Sequence, residues 1–188
     1  MPPNLRIFAA VELPTECKEI LKGIQDELQT INADVKWVLP ENCHITLKFF
    51  GNVEEPKIKS ITGSIDQNTR GLVSFPITVE HIGAFPSIES PQIIWVGIGQ
   101  GHDLLKNLAN ILESDFAKAG FPVETKPFNA HITIGRLRSH HNARNLISRL
   151  TSIKFPSIKI HIKHLTLYQS VLSSQGPVYS AIHRSLLK

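Results

Sequence analysis

The sequence has little cysteine, no long apolar run and no low-complexity segment. Its two cysteines, Cys17 and Cys43, do not form a Cys-x-x-Cys motif, which argues against a disulfide framework or a cysteine-rich metal site. We expect both thiols to be buried. No stretch approaches the roughly 18 apolar residues of a membrane span, and the first residues lack the pattern of a secretory signal. We therefore expect a cytoplasmic protein with no membrane partner.

Positive and negative residues are nearly balanced in the chain. Its 188 residues include 20 Lys and Arg and 16 Asp and Glu, which gives a formal net charge of +4 with histidine neutral. Such a surface attracts anions such as nucleic acid mildly, and it is equally consistent with ordinary solubility. Hydrophobic residues make up 41% of the chain, enough for one domain or for two small lobes that share a core.

Hydrophobic periodicity predicts a mixture of helices and strands. Apolar residues at three- and four-residue spacing predict helices at 15–31 and 104–119, and weaker patterns predict helices at 54–68 and 142–150. Short apolar or alternating runs predict strands at 5–13, 35–39, 43–50, 75–82, 92–98, 128–137, 157–171 and 178–187. Because short turns or single helices connect most of them, the sequence favours an α+β fold with largely antiparallel sheets flanked by helices.

Two predicted strands share the sequence His-Ile-Thr followed by an aliphatic residue. They carry His44 and His131. Alternate side chains of a strand share a face, so His44 and Thr46 point the same way, and His131 and Thr133 repeat this arrangement. The same alternation directs Phe49 toward the core. Branched aliphatic residues anchor each strand and hold its imidazole in place, as acid–base catalysis requires.

A third His-x-Thr segment begins at His164. Apolar residues occupy one strand face before it and the other face after it, which indicates a bulge. We interpret His164 and Thr166 as a solvent-facing pair without a catalytic role. His161 lies three residues away, on the opposite face of a regular strand, and no carboxylate or cysteine cluster accompanies the pair. We therefore predict no metal site.

Two histidines that face one groove suit phosphoryl chemistry. An ordinary pKa near 6.5 allows one imidazole to accept a proton from water while the other donates a proton to the leaving oxygen. The hydroxyls of Thr46 and Thr133 are positioned to donate hydrogen bonds to the non-bridging phosphate oxygens. This scheme needs neither a metal nor a cofactor. The residues alone do not assign the donor and acceptor roles.

The motifs and their neighbourhoods resemble the 2H phosphoesterases, and within them the RNA 2′,3′-cyclic phosphodiesterases once described as 2′-5′ RNA ligases. The resemblance spans nearly the whole chain. Its segments are Leu-Arg-Ile-Phe-Ala-Ala-Val-Glu-Leu-Pro at 5–14, Trp-Val-Leu-Pro-Glu-Asn-Cys-His-Ile-Thr-Leu-Lys-Phe at 37–49, Ile-Trp-Val-Gly-Ile at 94–98, Phe-Asn-Ala-His-Ile-Thr-Ile-Gly-Arg at 128–136, Leu-Tyr-Gln-Ser at 167–170 and Gly-Pro-Val-Tyr at 176–179. One departure is Ala130, where many members have proline.

The resemblance implies a fold and residue roles. It implies a single bilobal domain over residues 1–188, with two pseudo-symmetric lobes and an active-site groove between them. It also implies His44 as the proton donor, His131 as the proton acceptor, and Thr46 and Thr133 as phosphate-binding residues. The implied substrate is RNA with a 2′,3′-cyclic phosphate end, with tRNA fragments among the candidates, and the implied product is a 2′-phosphomonoester. We expect a monomer.

Two further features remain open on the sequence alone. Strand alternation places Arg136 on the core face, so it either reaches phosphate through a local bend or pairs with an acidic residue at the strand end. The loop at His140 and His141, beside Arg138 and Arg144, is either a nucleic-acid contact or a solvated loop. The alternative functions are 2′-5′ RNA ligation, hydrolysis of a small cyclic nucleotide, and RNA binding without turnover.

Overall fold

A computed structural model describes residues 4–174 and 176–188 of the chain. Four helices and nine strands form its framework. The helices are α1 Thr15–Gln29, α2 Ile58–Thr69, α3 His102–Lys118 and α4 Ala143–Ser152. The strands are β1 Asn4–Glu12, β2 Val35–Trp37, β3 His44–Glu54, β4 Phe75–Pro86, β5 Pro91–Ile98, β6 His131–Leu137, β7 Ile158–Ile162, β8 His164–Ser173 and β9 Gly176–Leu186.

The strands form one curled antiparallel sheet made of two halves. The strand order is β7–β4–β5–β6–β3–β1–β8–β9, and β2 pairs with β6 beside this path. The halves β7–β4–β5–β6 and β3–β1–β8–β9 meet where β3 pairs with β6, and in the described ranges that ladder consists of the pair Ile45–Ile132. The predicted α+β architecture with two similar lobes is therefore confirmed, and the two His-Ile-Thr strands lie at the junction.

The helices pack their apolar faces against the sheet as their periodicity predicts. In α3 the buried residues include Leu105, Leu108, Leu112 and Phe116. The helix ends before Gly120, whose φ of 87° suits glycine and closes the helix as expected. Buried apolar side chains from both halves of the sheet belong to one contiguous cluster. No helix in the described part of the chain is long and apolar enough to cross a membrane.

Both cysteines are buried, as predicted. Cys17 is fully buried and Cys43 is 2% exposed. Burial raises the pKa of Cys17 to about 11 and that of Cys43 to about 12. Both thiols are therefore protonated at neutral pH.

One short strand pairs far along the chain, and one predicted strand is divided. Residues Pro40–Asn42 form a short 3₁₀ turn between β2 and β3, and β2 pairs with β6. The predicted strand at 157–171 is two strands, because β7 pairs with β4 in one half and β8 pairs with β1 in the other. The change of face before His164 therefore marks passage between the halves rather than a bulge.

Candidate active site

The two motifs line one cavity of about 500 Å³ at the junction of the sheet halves. His44, Thr46, His131 and Thr133 all contribute to its walls. The isoleucines between them, Ile45 and Ile132, are fully buried and pair with each other. Strand alternation thus sends both polar pairs to the groove and both isoleucines to the core. The structure brings together the four motif residues singled out in the sequence.

Each histidine is fixed by the backbone of an asparagine two residues earlier. His44 Nδ1 lies 2.6 Å from the carbonyl oxygen of Asn42, and His131 Nδ1 lies 2.8 Å from that of Asn129. A carbonyl oxygen only accepts hydrogen bonds, so Nδ1 carries the hydrogen in both rings. In the neutral form each Nε2 is therefore free to accept a proton. The unit Asn-x-His-Ile-Thr recurs, but both contacts are made by the backbone carbonyl, which every residue type has. Residue type therefore does not mark this role in the sequence.

The hydroxyl of Thr46 lies beside the reactive nitrogen of His44. Its Oγ1 is 3.0 Å from Nε2, and it donates to that nitrogen when the imidazole is neutral. Thr133 lines the same cavity from the other strand. An anion placed between the strands therefore meets hydroxyl donors from both sides.

Aromatic rings surround the imidazoles and remove them from water. Phe8 stacks on His44 with ring centroids 4.8 Å apart, and the ring of Tyr179 meets His44 edge-on at 5.4 Å. On the other side of the groove, Phe85 meets His131 edge-on at 5.1 Å. These contacts hold each ring in one orientation and exclude solvent from part of its surface.

Both imidazoles have a lowered pKa. Burial lowers the pKa of His44 from 6.5 to about 4, and Lys18 and His131 add to the effect while the hydrogen bond to Asn42 opposes it. Burial also lowers the pKa of His131, opposed by the hydrogen bond to Asn129 and reinforced by the positive charge of Arg136. In the ligand-free protein both rings are therefore neutral at pH 7.

Arg136 lies on the groove side of β6, because the strand bulges at Ile134. On β5, Trp95 pairs with Thr133 and Ile94 pairs with Gly135, which leaves Ile134 as the extra residue. The carbonyl oxygen of Ile134 instead accepts hydrogen bonds from the backbone of Val38 and from the buried side chain of Gln25. The bulge moves Arg136 from the face predicted by simple alternation to the cavity that contains His131.

A second bulge, at Leu47 in β3, corrects the placement of Phe49. Ala10 of β1 pairs with Thr46 and Ala9 pairs with Lys48, so Leu47 is the extra residue. Phe49 is consequently 42% exposed and lines the cavity, whereas simple alternation had placed it in the core. Lys48 turns inward and donates to the carboxylate of Glu113 at 2.8 Å.

The hairpin of β8 and β9 forms another wall of the groove. Pro177 and Tyr179 line the cavity, and the side-chain nitrogen of Asn42 donates to the carbonyl oxygen of Pro177 at 3.0 Å. Asn42 therefore connects the His44 turn to this wall. Tyr179 belongs to one of the segments that resemble the family, but nothing in the local sequence pattern marks it as a neighbour of His44.

The groove is basic. Arg6, Lys36 and Arg136 line it, and no Asp or Glu of the described residues does. An anionic substrate therefore meets positive charge without a competing carboxylate. Sequence reasoning missed Arg6 and Lys36, because dispersed cations show their clustering only after folding.

The remaining histidine candidates lie outside this cavity. His164 is partly exposed but Thr166 is fully buried, so the interpretation of a solvent-facing pair is wrong for Thr166. His140 and His141 are exposed in the loop before α4. Across residues 4–174 and 176–188, no three His, Cys, Asp or Glu side chains are grouped closely enough to hold one metal ion.

A model of the LigT-like phosphoesterases matches the chain twice, over residues 11–95 and 96–179. Each match contains one His-Ile-Thr strand. An RNA 2′,3′-cyclic phosphodiesterase of Archaeoglobus fulgidus is 35% identical over 176 residues, which cover 93% of this chain and 96% of that protein. The RNA 2′,3′-cyclic phosphodiesterase of Methanothermobacter thermautotrophicus is 32% identical over 180 residues, covering 94% of this chain and 96% of that protein.

Solved structures show the same fold. Ligand-free LigT of E. coli superposes with a TM-score of 0.78 at 26% identity and covers 99% of both chains. The protein TT0787 of Thermus thermophilus superposes with a TM-score of 0.79 at 23% identity, covering 97% of this chain and 98% of that one. E. coli LigT has also been solved in complex with 3′-AMP. As its motifs predicted, this protein belongs to the LigT-like phosphoesterases of the 2H phosphoesterase superfamily.

Proposed function

We propose that this protein is an RNA 2′,3′-cyclic phosphodiesterase that produces a 2′-phosphomonoester. The observation that carries the proposal is the placement of two equivalent imidazoles, His44 and His131, in one basic groove. Each ring is oriented in the same way by the carbonyl oxygen of an asparagine. The relatives named as RNA 2′,3′-cyclic phosphodiesterases support the choice of substrate.

In the proposed reaction, His131 acts as general base and His44 as general acid. Nε2 of His131 accepts a proton from water as the water oxygen forms a bond to phosphorus. The bond between phosphorus and the ribose 3′ oxygen breaks, and that oxygen receives the proton from Nε2 of His44. The products are a 2′-phosphate and a free 3′ hydroxyl. General acid–base transfers of this kind contribute about 10²- to 10⁴-fold to a rate.

Substrate binding prepares His44 for its role. With a pKa of about 4, the free imidazole is neutral at pH 7 and has no proton to donate from Nε2. A phosphate anion in the groove favours the protonated ring and raises its pKa. The positive charge of Arg136 beside His131 disfavours protonation of that ring, which suits a base. The bound substrate thus establishes the charge difference between the two imidazoles.

Thr46 and Thr133 hold the phosphate in this scheme. On substrate binding the Thr46 hydroxyl turns from Nε2 of His44 to a non-bridging oxygen, and Thr133 donates from the opposite strand. Arg136 adds positive charge at the end of the groove. Donors that are already oriented toward the developing charge stabilise the transition state without reorganisation.

The proposed physiological form is one bilobal domain over residues 1–188, acting as a cytoplasmic monomer. Its proposed substrates are RNAs with a 2′,3′-cyclic phosphate end, tRNA fragments among them. The core shared by both sheet halves supports the single domain.

The test uses an RNA oligonucleotide that ends in a 2′,3′-cyclic phosphate. We expect conversion to the 2′-phosphate in the presence of EDTA, with chromatography against authentic 2′- and 3′-phosphorylated standards identifying the product. A 3′-phosphate would contradict the assignment of the leaving oxygen. Joining to a 5′-hydroxyl oligonucleotide without hydrolysis would favour 2′-5′ ligation, and cleavage of 2′,3′-cyclic AMP alone would favour a mononucleotide enzyme.

A further inference from the structure

Two cations face each other across the β2–β6 ladder. Lys36 and Arg136 are directly opposed in the register, and both side chains are exposed in the groove. Like charges directly opposite on a sheet repel each other. Neither has an ion-pair partner among the carboxylates of the described residues, although several other cations of the chain do. The pair thus has a repulsion that an anion would relieve.

A third cation, Arg6, lines the same groove. Its guanidinium is 4.7 Å from the ring centroid of Phe49. Arg6, Arg136 and Tyr179 all line this groove, and the positive charge of both arginines opposes the effect of burial, which raises the pKa of the tyrosine hydroxyl. Neither Arg6 nor Lys36 has a role in the proton transfers proposed above.

The backbone separation of Arg136 from Thr133 corresponds to one nucleotide. Thr133 and Arg136 are three residues apart on β6, but their partners on β5, Trp95 and Ile93, are only two residues apart because β6 bulges between them. The two side chains are therefore separated by the length of two strand residues. Two strand residues span roughly 6–7 Å. Neighbouring phosphates of an extended RNA strand have a similar separation. When one phosphate lies at Thr133, the next phosphate of the strand therefore falls at the level of the Lys36–Arg136 pair in the sheet.

We propose that Lys36, with Arg136 and Arg6, forms a second anion subsite that binds the phosphodiester on the 5′ side of the terminal nucleoside. This inference rests on the proposed function and deepens it, because the subsite selects oligonucleotide ends over cyclic mononucleotides, which lack that phosphodiester. Arg136 lies between the two phosphates and contacts both. Lys36 contacts only the second, which makes it the residue that separates the two classes of substrate.

The experiment compares Lys36→Gln with the unmodified protein on two substrates. One is a short oligonucleotide with a 2′,3′-cyclic phosphate end, and the other is a 2′,3′-cyclic mononucleotide with a 5′ hydroxyl. We expect kcat/KM to fall about 5- to 10-fold on the oligonucleotide and less than about two-fold on the mononucleotide, since one phosphate contact is lost. The dependence on salt should also weaken for the oligonucleotide only. Lys59→Gln, an exposed lysine of α2 outside the groove, is the charge-matched control.

Binding of the product classes tests the subsite without turnover. The affinities for a 2′-phosphorylated oligonucleotide and for a nucleoside 2′-phosphate are measured with the unmodified protein, with Lys36→Gln and with Lys59→Gln. A loss restricted to the oligonucleotide supports the subsite even if no hydrolysis is found, in which case only the proposed reaction fails. An equal loss on both ligands, no loss on either, or the same loss in Lys59→Gln would overturn the subsite.

Discussion

The carbonyl oxygen of Asn42 holds Nδ1 of His44 at 2.6 Å, and Asn129 holds His131 in the same way at 2.8 Å. The two rings thus present the same nitrogen to the groove. Their different proposed roles must then come from their surroundings. Arg136 favours the neutral form of His131, whereas His44 lies against Phe8 and, in the proposed reaction, gains its charge only when the substrate is bound.

Replacement of either groove histidine should abolish most of the activity. We expect His44→Ala and His131→Ala each to lower kcat on a cyclic-phosphate oligonucleotide by about 10²- to 10⁴-fold, because each removes one proton transfer. Single-turnover cleavage measures the effect. His164→Ala is the control, since His164 belongs to the third His-x-Thr segment but does not line the cavity. Inactivity of that variant alone would show that the wrong motif had been chosen.

Removal of the threonine hydroxyls should reduce stabilisation of the transition state more than it reduces the affinity for substrate. Thr46→Val and Thr133→Val keep the branched shape but lose the donor, so we expect kcat to fall about 10- to 10³-fold with a smaller change in KM. Steady-state kinetics separates the two parameters. A change confined to KM would indicate that the hydroxyls bind substrate without stabilising the reaction.

The pH dependence of catalysis should differ between free and bound enzyme. The scheme requires a protonated His44 and a neutral His131, so a plot of kcat/KM against pH should be bell-shaped. The two pKa values of that profile are those of the free protein. Because both values are lowered, its maximum should lie below pH 6.5. The alkaline limb of the kcat profile should lie at higher pH, since bound phosphate favours the protonated ring. If the alkaline limbs of the kcat and kcat/KM profiles coincided, substrate binding would not raise the pKa of His44.

The buried imidazole of His44 should make the free energy of unfolding depend on pH. Its pKa is about 4 in the folded protein and near 6.5 in the unfolded chain, so between these values the unfolded chain binds the additional proton. Stability should therefore be present above pH 6.5 and fall by at most about 3 kcal/mol as the pH decreases to 4. Urea unfolding of His44→Gln, compared with the unmodified protein at several pH values, isolates this contribution. Equal pH slopes would show that His44 titrates normally.

Local patterns predicted those parts of the site that depend on strand alternation. His44 and Thr46 share the groove face because their strand is regular between them, and Ile45 is buried for the same reason. Alternation failed directly after each threonine, where one extra residue changes the face. Gly135 was a sequence signal for the bulge at Ile134, since glycine within a strand often marks one. No comparable signal accompanies Leu47, so the exposure of Phe49 was not predictable.

Pairing between distant strands was also beyond local reasoning. The sequence indicates that residues 35–37 are extended, but their partner is β6, about a hundred positions later. Only this pairing brings Lys36 opposite Arg136. The basic character of the groove therefore depends on contacts that a modest net charge does not reveal.

The junction at Ile45 and Ile132 also determines the spacing of the two imidazoles. His44 and His131 each adjoin one member of this fully buried pair. A change in the volume of either isoleucine would therefore alter the distance between the two rings without touching either ring.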